Sequence, residues 1–411
     1  MSVNTMTFEQ MSAVLTSITQ QASGMAVETP TDTGSFVSVA QIALNSGFDA
    51  VMNAISNVLG RTIFAIRPYS ASMTGLDFDS FRWGNVMRKL SIVEDDWQDD
   101  PAFAYPVLFD SNQVPPTGDG GSVDPWTIKK PKTVQTLFTG QSVYYDELTI
   151  TQRQLETAFS GPDEFGSFFS MLMTNLTNRL EASNENIRRG LVDNMIGAIY
   201  DENQSDRVVK LLTMYNDQTG LTAAGTPLDN QTVYDPANFP AFVKWAYAKI
   251  EDYSDMFAKR GIQFQTTLTN KPILRHTPKE YQRVYLFSPF MREISARVLA
   301  DTYHDTFLRL SDVEAVPFWQ SMDSRDSVSV FPAYTDNSGA LVHNTGTGDE
   351  VEVKNILGVM FDRDMMGMTM LDRQVLSTPL NTRGLYYNLH VHCNQRVFFD
   401  NMEKGVIFLM E

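Results

Sequence analysis

SGPDEFGSFFSMLMTNLTNRLEASNENIRRGLVDNMIGAIY, residues 160–200, is the most strongly patterned stretch of the chain. Its opening SGPDE supplies a capping residue, a proline suited to the first helical turn, and two acids that complement the helix dipole. Phe165, Phe169, Leu172, Leu176, Leu180, Ser183, Ile187, Leu191, Met195 and Ile199 then recur every three or four residues. The spacing predicts one helix of about 35 residues, ~53 Å long at 1.5 Å per residue. Arg179, Glu181, Glu185, Arg188 and Arg189 fall mostly off that stripe. A rod of this length outspans a small core, so it reads as the backbone of an elongated subunit.

Immediately upstream, VQTLF (134–138) and SVYYDELTI (142–150) alternate as paired strands would. Before them, residues 67–135 carry little periodicity: an acidic run EDDWQDD (94–100), PPTGDGGS (115–122) and a basic KKPK (129–132). So long a stretch without regular structure is unusual inside a compact domain. Trp83, Trp97, Phe103, Tyr105, Phe109 and Trp126 argue against disorder, which is poor in aromatics. An extended excursion that buries its aromatics against another chain fits better. At the N-terminus, residues 1–34 are rich in Ser, Thr and Gln, with a short helix expected over Phe8–Ile18. Phe36, Val39, Ile42, Ala43, Val51, Met52, Ile55 and Leu59 follow at helical intervals broken by Asn45-Ser46-Gly47. Gly60 is expected to cap that helix, and TIFAI (62–66) to form a short strand.

Downstream, Phe242, Val243, Ala246, Ile250, Tyr253 and Phe257 mark a second amphipathic helix ending at KRG (259–261). FQTTLT (264–269) alternates like a strand, and Thr277-Pro278-Lys279-Glu280 has capping-box spacing. A strand at VYLF (284–287), a helix around Phe290–Ala300, and strands at SVSVF (327–331), NILGVMF (355–361), LYYNLHVH and VIFL complete the reading. Helices and short strands mingle without a βαβ rhythm, so the expected fold class is α+β.

The chain has 411 residues, 43% of them hydrophobic, with 32 basic and 49 acidic side chains and a formal charge of −17. That balance argues against a sequence-reading nucleic-acid binder. No run approaches the roughly 18 apolar residues of a membrane span. MSVNTMTFEQ lacks the basic start and apolar core of a signal peptide, and the single Cys393 rules out an internal disulfide framework. A soluble, acidic, cytoplasmically made protein is expected.

Chemistry is weakly supported. His390 and His392 would share one strand face while Cys393 points to the other, which makes three convergent metal ligands hard to build. Asp77 with Asp79, and Asp362 with Asp364, could serve a carboxylate-based hydrolase, but close acid pairs are expected by chance among 49 acids. Gly346 and Gly348 belong to no P-loop, and no nucleophile elbow or zincin motif occurs. No catalytic residue, metal or cofactor is assigned.

The order of loose arm, extended excursion, very long helix, mixed region and strand-rich return resembles the major capsid proteins of tailed bacteriophages with the HK97 fold, particularly the phi29-like branch. The resemblance is carried by PKTVQTLFTGQSVYYDELTITQRQLETAF (131–159), NFPAFVKWAYAKIEDYSDMF (238–257), HTPKEYQRVYLF (276–287) and RGLYYNLHVHCNQRVFFDNMEKGVIFL (383–409). It implies an N-terminal arm and attached helix over 1–67, and an extended loop with returning strands over 68–145. A peripheral domain over 146–237 would contain the spine helix 160–202, with an axial domain at 238–380 and peripheral return strands at 381–411. It also implies self-assembly, as hexamers and pentamers, into an icosahedral shell around double-stranded DNA, with scaffolding and portal partners and no membrane. Assembly would occur in the host bacterial cytoplasm. Because aromatics dominate interface hot spots, Trp83, Trp97, Tyr105, Phe109 and Trp126 become candidate inter-subunit anchors. A tail-tube or other virion structural protein is the second assembly reading, and would be β-dominated.

Overall fold

A 41-residue helix, α5 (Pro162–Glu202), runs through the subunit for ~61 Å. The computed structural model describes residues 7–61, 72–78, 86–93, 126, 132–139, 142–269, 271, 273–297, 313–344, 346 and 349–411. The predicted rod is therefore present and longer than its apolar stripe. Its N-cap position is Gly161 rather than Ser160; the Ser160 hydroxyl instead donates back to the Thr157 carbonyl of the short α4 (Gln152–Ala158).

Among the described residues, α1 (Phe8–Ser23), α2 (Thr33–Asn45) and α3 (Phe48–Arg61) precede α4. Thr7 with Gln10, and Asp32 with Ser35, form reciprocal caps that satisfy the first free N–H groups of α1 and α2. Gly47, at φ +101°, makes the turn between α2 and α3, a backbone setting that favours glycine. Gly60 does not cap α3, which continues through it to Arg61; TIFAI lies outside the described residues.

The strands are β1 (Val86–Val93), β2 (Lys132–Thr139), β3 (Ser142–Thr151), β4 (Val208–Lys210), β5 (Gln282–Phe287), β6 (Val313–Val316), β7 (Val328–Val330), β8 (Ala333–Thr335), β9 (Leu341–His343), β10 (Val351–Val353), β11 (Ile356–Asp362), β12 (Met366–Ser377), β13 (Tyr386–Phe399) and β14 (Gly405–Leu409). Helices α6 (Leu211–Gln218), α7 (Phe239–Phe257) and α8 (Ser288–Arg297) complete the set. β12, β13 and β3 form an antiparallel sheet, and β4-β14-β11-β5-β6 a mixed one. β1 and β2 pair as a separate antiparallel ribbon.

Several expectations change here. VQTLF and SVYYDELTI are both strands, but they pair with β1 and β13 rather than with each other. FQTTLT is no strand: Phe264 turns the chain at φ +66°, and only an isolated Leu268–Lys271 bridge forms. Thr277-Pro278-Lys279-Glu280 starts no α-helix; a single 3₁₀ turn follows, and the Thr277 hydroxyl donates to the buried Asp362 carboxylate at 2.5 Å. Within 381–411, β13 joins the three-stranded sheet and β14 the five-stranded one.

Alternation along the strands divides the five-stranded sheet between two cores. Val284, Leu286, Met360, Val406 and Phe408 pack against α6, α7 and α8. Tyr285, Val359, Phe361, Ile407 and Leu409 pack against Leu191, Met195 and Ile199 in the second half of α5. The first half of that helix, from Phe165 to Leu176, belongs to a third core with α1–α3 and the inner face of the three-stranded sheet. Between the two halves Glu185, Arg188 and Arg189 are buried, although they stand off the apolar stripe. The reason is local. Arg188 forks onto Asp77 at 2.8 and 2.6 Å, while Arg189 binds Glu185 and the Phe318 carbonyl.

Candidate assembly surfaces

Within 67–135 the described residues include a strap and the strands of a ribbon. The strap, 72–78, hydrogen-bonds to β12 through the Phe78 N–H and the Met368 carbonyl at 2.9 Å. The Phe78 ring meets Phe398 edge-on and covers Gly367, where a Cβ would fall 2.3 Å from it. Glycine at 367 is thus what lets the ring lie on the strand.

Strand alternation gives the ribbon two faces. Lys89, Ser91 and Val93 of β1 turn toward the body with Phe138 of β2, whose ring lies 5.6 Å from Phe398. Lys89 Nζ reaches Asp400 at 2.7 Å, Glu403 at 2.5 Å and the Asp364 carbonyl at 3.3 Å. Arg275 binds Glu403 at 2.9 Å and donates to the Ser91 hydroxyl at 2.9 Å. Burial pushes the Glu403 carboxyl above its ordinary range, against the pull of Lys89 and Arg275. Lys89 is held above the usual lysine value: burial opposes its charge, but Asp400 and Glu403 together outweigh that. The opposite face presents Leu90, Ile92 and Leu137, which are 62%, 63% and 54% exposed. An apolar sheet face left to solvent marks a contact surface or an aggregation liability.

Of the predicted anchors, Trp83, Trp97, Tyr105 and Phe109 lie outside the described residues. Trp126 is 84% exposed on this subunit. Lys89, Arg275, Asp400 and Glu403, which root the ribbon, escaped the sequence reading. MRKLSIV in β1 mixes polar and apolar residues on both faces, so period-two alternation is blurred.

The chemical candidates disperse. Asp77 is the partner of Arg188, and Asp79 lies outside the described residues. Asp362 is buried beneath Thr277 and accepts from the Asp364 N–H at 2.8 Å, which makes the pair a turn rather than an acid–base couple in a cleft. His390 and His392 do share the outer face of β13, with rings 6.4 Å apart, while Cys393 is buried on the inner one. Burial raises the Cys393 thiol above its ordinary value, which disfavours both nucleophile and ligand. No cluster of three metal-ligating side chains occurs among the described residues.

No curated protein sequence matches the chain. Among solved structures, one titled as the capsid structure of Staphylococcus phage Andhra superposes with a TM-score of 0.52 at 8% identity, covering 85% of this chain and 87% of that one. A chain in a structure of the head fiber and inner core protein gp22 of native bacteriophage P68 gives 0.50 at 8% identity, with the same coverages. At such identities the likeness is one of fold. A family model described as Phi29-like phage major capsid protein matches residues 112–409. With most of its length so matched, the chain belongs to the Phi29-like phage major capsid protein family.

Proposed function

We propose that this shell-forming protein closes an icosahedral capsid by lapping the β1–β2 ribbon over adjacent copies. The family is structural rather than enzymatic. The observation that carries the reading is the apolar outer face of the ribbon, Leu90, Ile92 and Leu137, projected from a body that already has its own cores. Quasi-equivalent contacts must tolerate small changes of angle, and a rooted two-stranded ribbon tilts more readily than a packed domain face. Trp126, and beyond the described residues Trp83, Trp97, Tyr105 and Phe109, would seat on neighbours as anchors.

In this reading 1–67 and 68–145 act as arm and loop, and the sheet of β3, β12 and β13 with α5 makes a peripheral domain. The five-stranded sheet with α6–α8 makes an axial one. Copies gather as hexamers and pentamers, with scaffolding and portal partners, in the host cytoplasm. They enclose double-stranded DNA without reading it; a formal charge of −17 keeps phosphate from adhering to the wall during filling.

Electron microscopy of the full-length protein, expressed alone and with its scaffold, tests the proposal. Capsomers or closed shells are expected with the wild type. A variant in which a short Gly-Asn turn replaces 94–131 should fold but fail to close. Shells from that variant would remove Trp97, Tyr105, Phe109 and Trp126 as anchors and leave closure to the ribbon face alone.

A further inference from the structure

We propose that the charged cluster at the root of the ribbon is an acid-sensitive latch: ionised Glu403 ties Lys89 of β1 to Arg275 of the body and fixes the ribbon's direction, and acidification releases it. An isolated two-stranded sheet is at best marginally stable in water, so this ribbon depends on what its inner face touches. The inner face carries apolar Met87, Val93, Val134 and Phe138, and among them polar groups that reach the body. Lys89 and Ser91 on the ribbon meet Asp400, Glu403 and Arg275 on the body.

The groups facing Glu403 come from four places. Lys89 is on β1 and Arg275 on the segment before the 3₁₀ turn at 279–281. Asp362 ends β11, with Asp364 two residues beyond it. Asp400 and Lys404 lie on the same turn as Glu403, between β13 and β14. Lys89, Arg275 and Lys404 are thus the cations of this region and Glu403, Asp362 and Asp400 its buried acids, with Asp364 at the edge. Lys404 Nζ is spent on the carbonyls of Phe257 and Lys259 at 3.2 and 2.7 Å, which close the end of α7.

The balance is lopsided in its response to protons. Burial raises both Glu403 and Asp362, so these carboxylates take up protons before exposed ones do. Lys89 is held above its usual value, and Lys404, lowered by burial to about 8, is protonated throughout the acidic range. As pH falls, the cluster therefore loses negative charge first. Lys89 on the ribbon is then left facing Arg275 on the body with the Glu403 charge between them removed. Burial keeps salt from screening that repulsion.

The latch concerns the ribbon's root and holds whether or not its outer face meets another copy. Hydrogen exchange on the full-length protein, corrected for the intrinsic pH dependence of exchange, tests it directly. Amides of 86–93 and 132–139 should exchange about tenfold faster at pH 5 than at pH 7.5, while β11 and β14 stay protected. Glu403→Gln should exchange fast at both pH values and lose the step. Lys89→Met, which alters the ribbon rather than the buried turn, should do the same. Ribbon protection indifferent to pH would overturn the latch. So would a step that survives in both variants, or ribbon exchange that rises only together with β11 and β14.

Discussion

Asp193 shows what a single buried charge does in this fold. It lies one helical turn beyond Arg189 on α5, is almost wholly buried, and its Oδ1 has no hydrogen-bond partner among the described residues. Burial lifts its carboxyl to about 7, with Arg189 pulling only weakly the other way. An unfolded aspartate titrates near 3.9. Between those values the folded chain holds a proton that the unfolded chain has released, so this group's contribution to stability falls as pH rises from about 4 to about 7. Asp193→Asn should therefore stabilise the subunit by ~1–3 kcal/mol at pH 8 and leave it nearly unchanged at pH 4. Urea denaturation at the two pH values reads the difference; equal effects at both would mean the carboxyl is not titrating in the fold. Arg188 and Asp77 follow a different rule. The guanidinium is buried while its carboxylate partner is 43% exposed, so removing Asp77 strands a buried charge, whereas removing Arg188 frees a carboxylate that water can reach.

At the scale of elements, α5 joins two cores that have few residues in common. Leu176 sits in the core shared with α1–α3, and Met195 in the core beneath the five-stranded sheet. Leu176→Pro would remove a hydrogen bond and clash with the preceding turn, costing at least ~3 kcal/mol before packing losses. Because the rod ties both cores together, the variant should lose cooperative unfolding throughout the chain. Circular dichroism on heating would show it, and a native-like transition would mean the two halves of the helix stand independently. This element was legible because its apolar period persists over ten turns, and α7 was legible for the same reason at shorter range. The ribbon was not. Its pairing joins Val86 to Thr139 across dozens of residues, and local pattern carries no information about so distant a partner. FQTTLT failed for a related reason: alternation alone does not reveal that Phe264 must turn left-handed to bury its ring against Phe257 and Tyr253. The burial of Glu185 and Arg189 also needed tertiary information, since the 318–319 segment that covers them lies well over a hundred residues away.

For the whole molecule, the decisive separation is between what makes a stable subunit and what makes a shell. Three cores account for the former without Leu90, Ile92 or Leu137. Those side chains cross-pair with Gln135, Thr133 and Arg88 on the ribbon's outer face. Exchanging Leu90 and Leu137 for aspartate should change subunit stability by no more than about 0.5 kcal/mol, as for other exposed positions. If the ribbon laps over neighbours, the same exchange buries two new charges in every contact and should abolish assembly. Static light scattering of the double variant beside wild type, with Tm measured on both, separates the outcomes. Unchanged Tm with loss of large particles supports the ribbon as the joint between copies. Particles of wild-type size would move that joint to another surface, and a lowered Tm would place the two leucines inside the subunit's own fold.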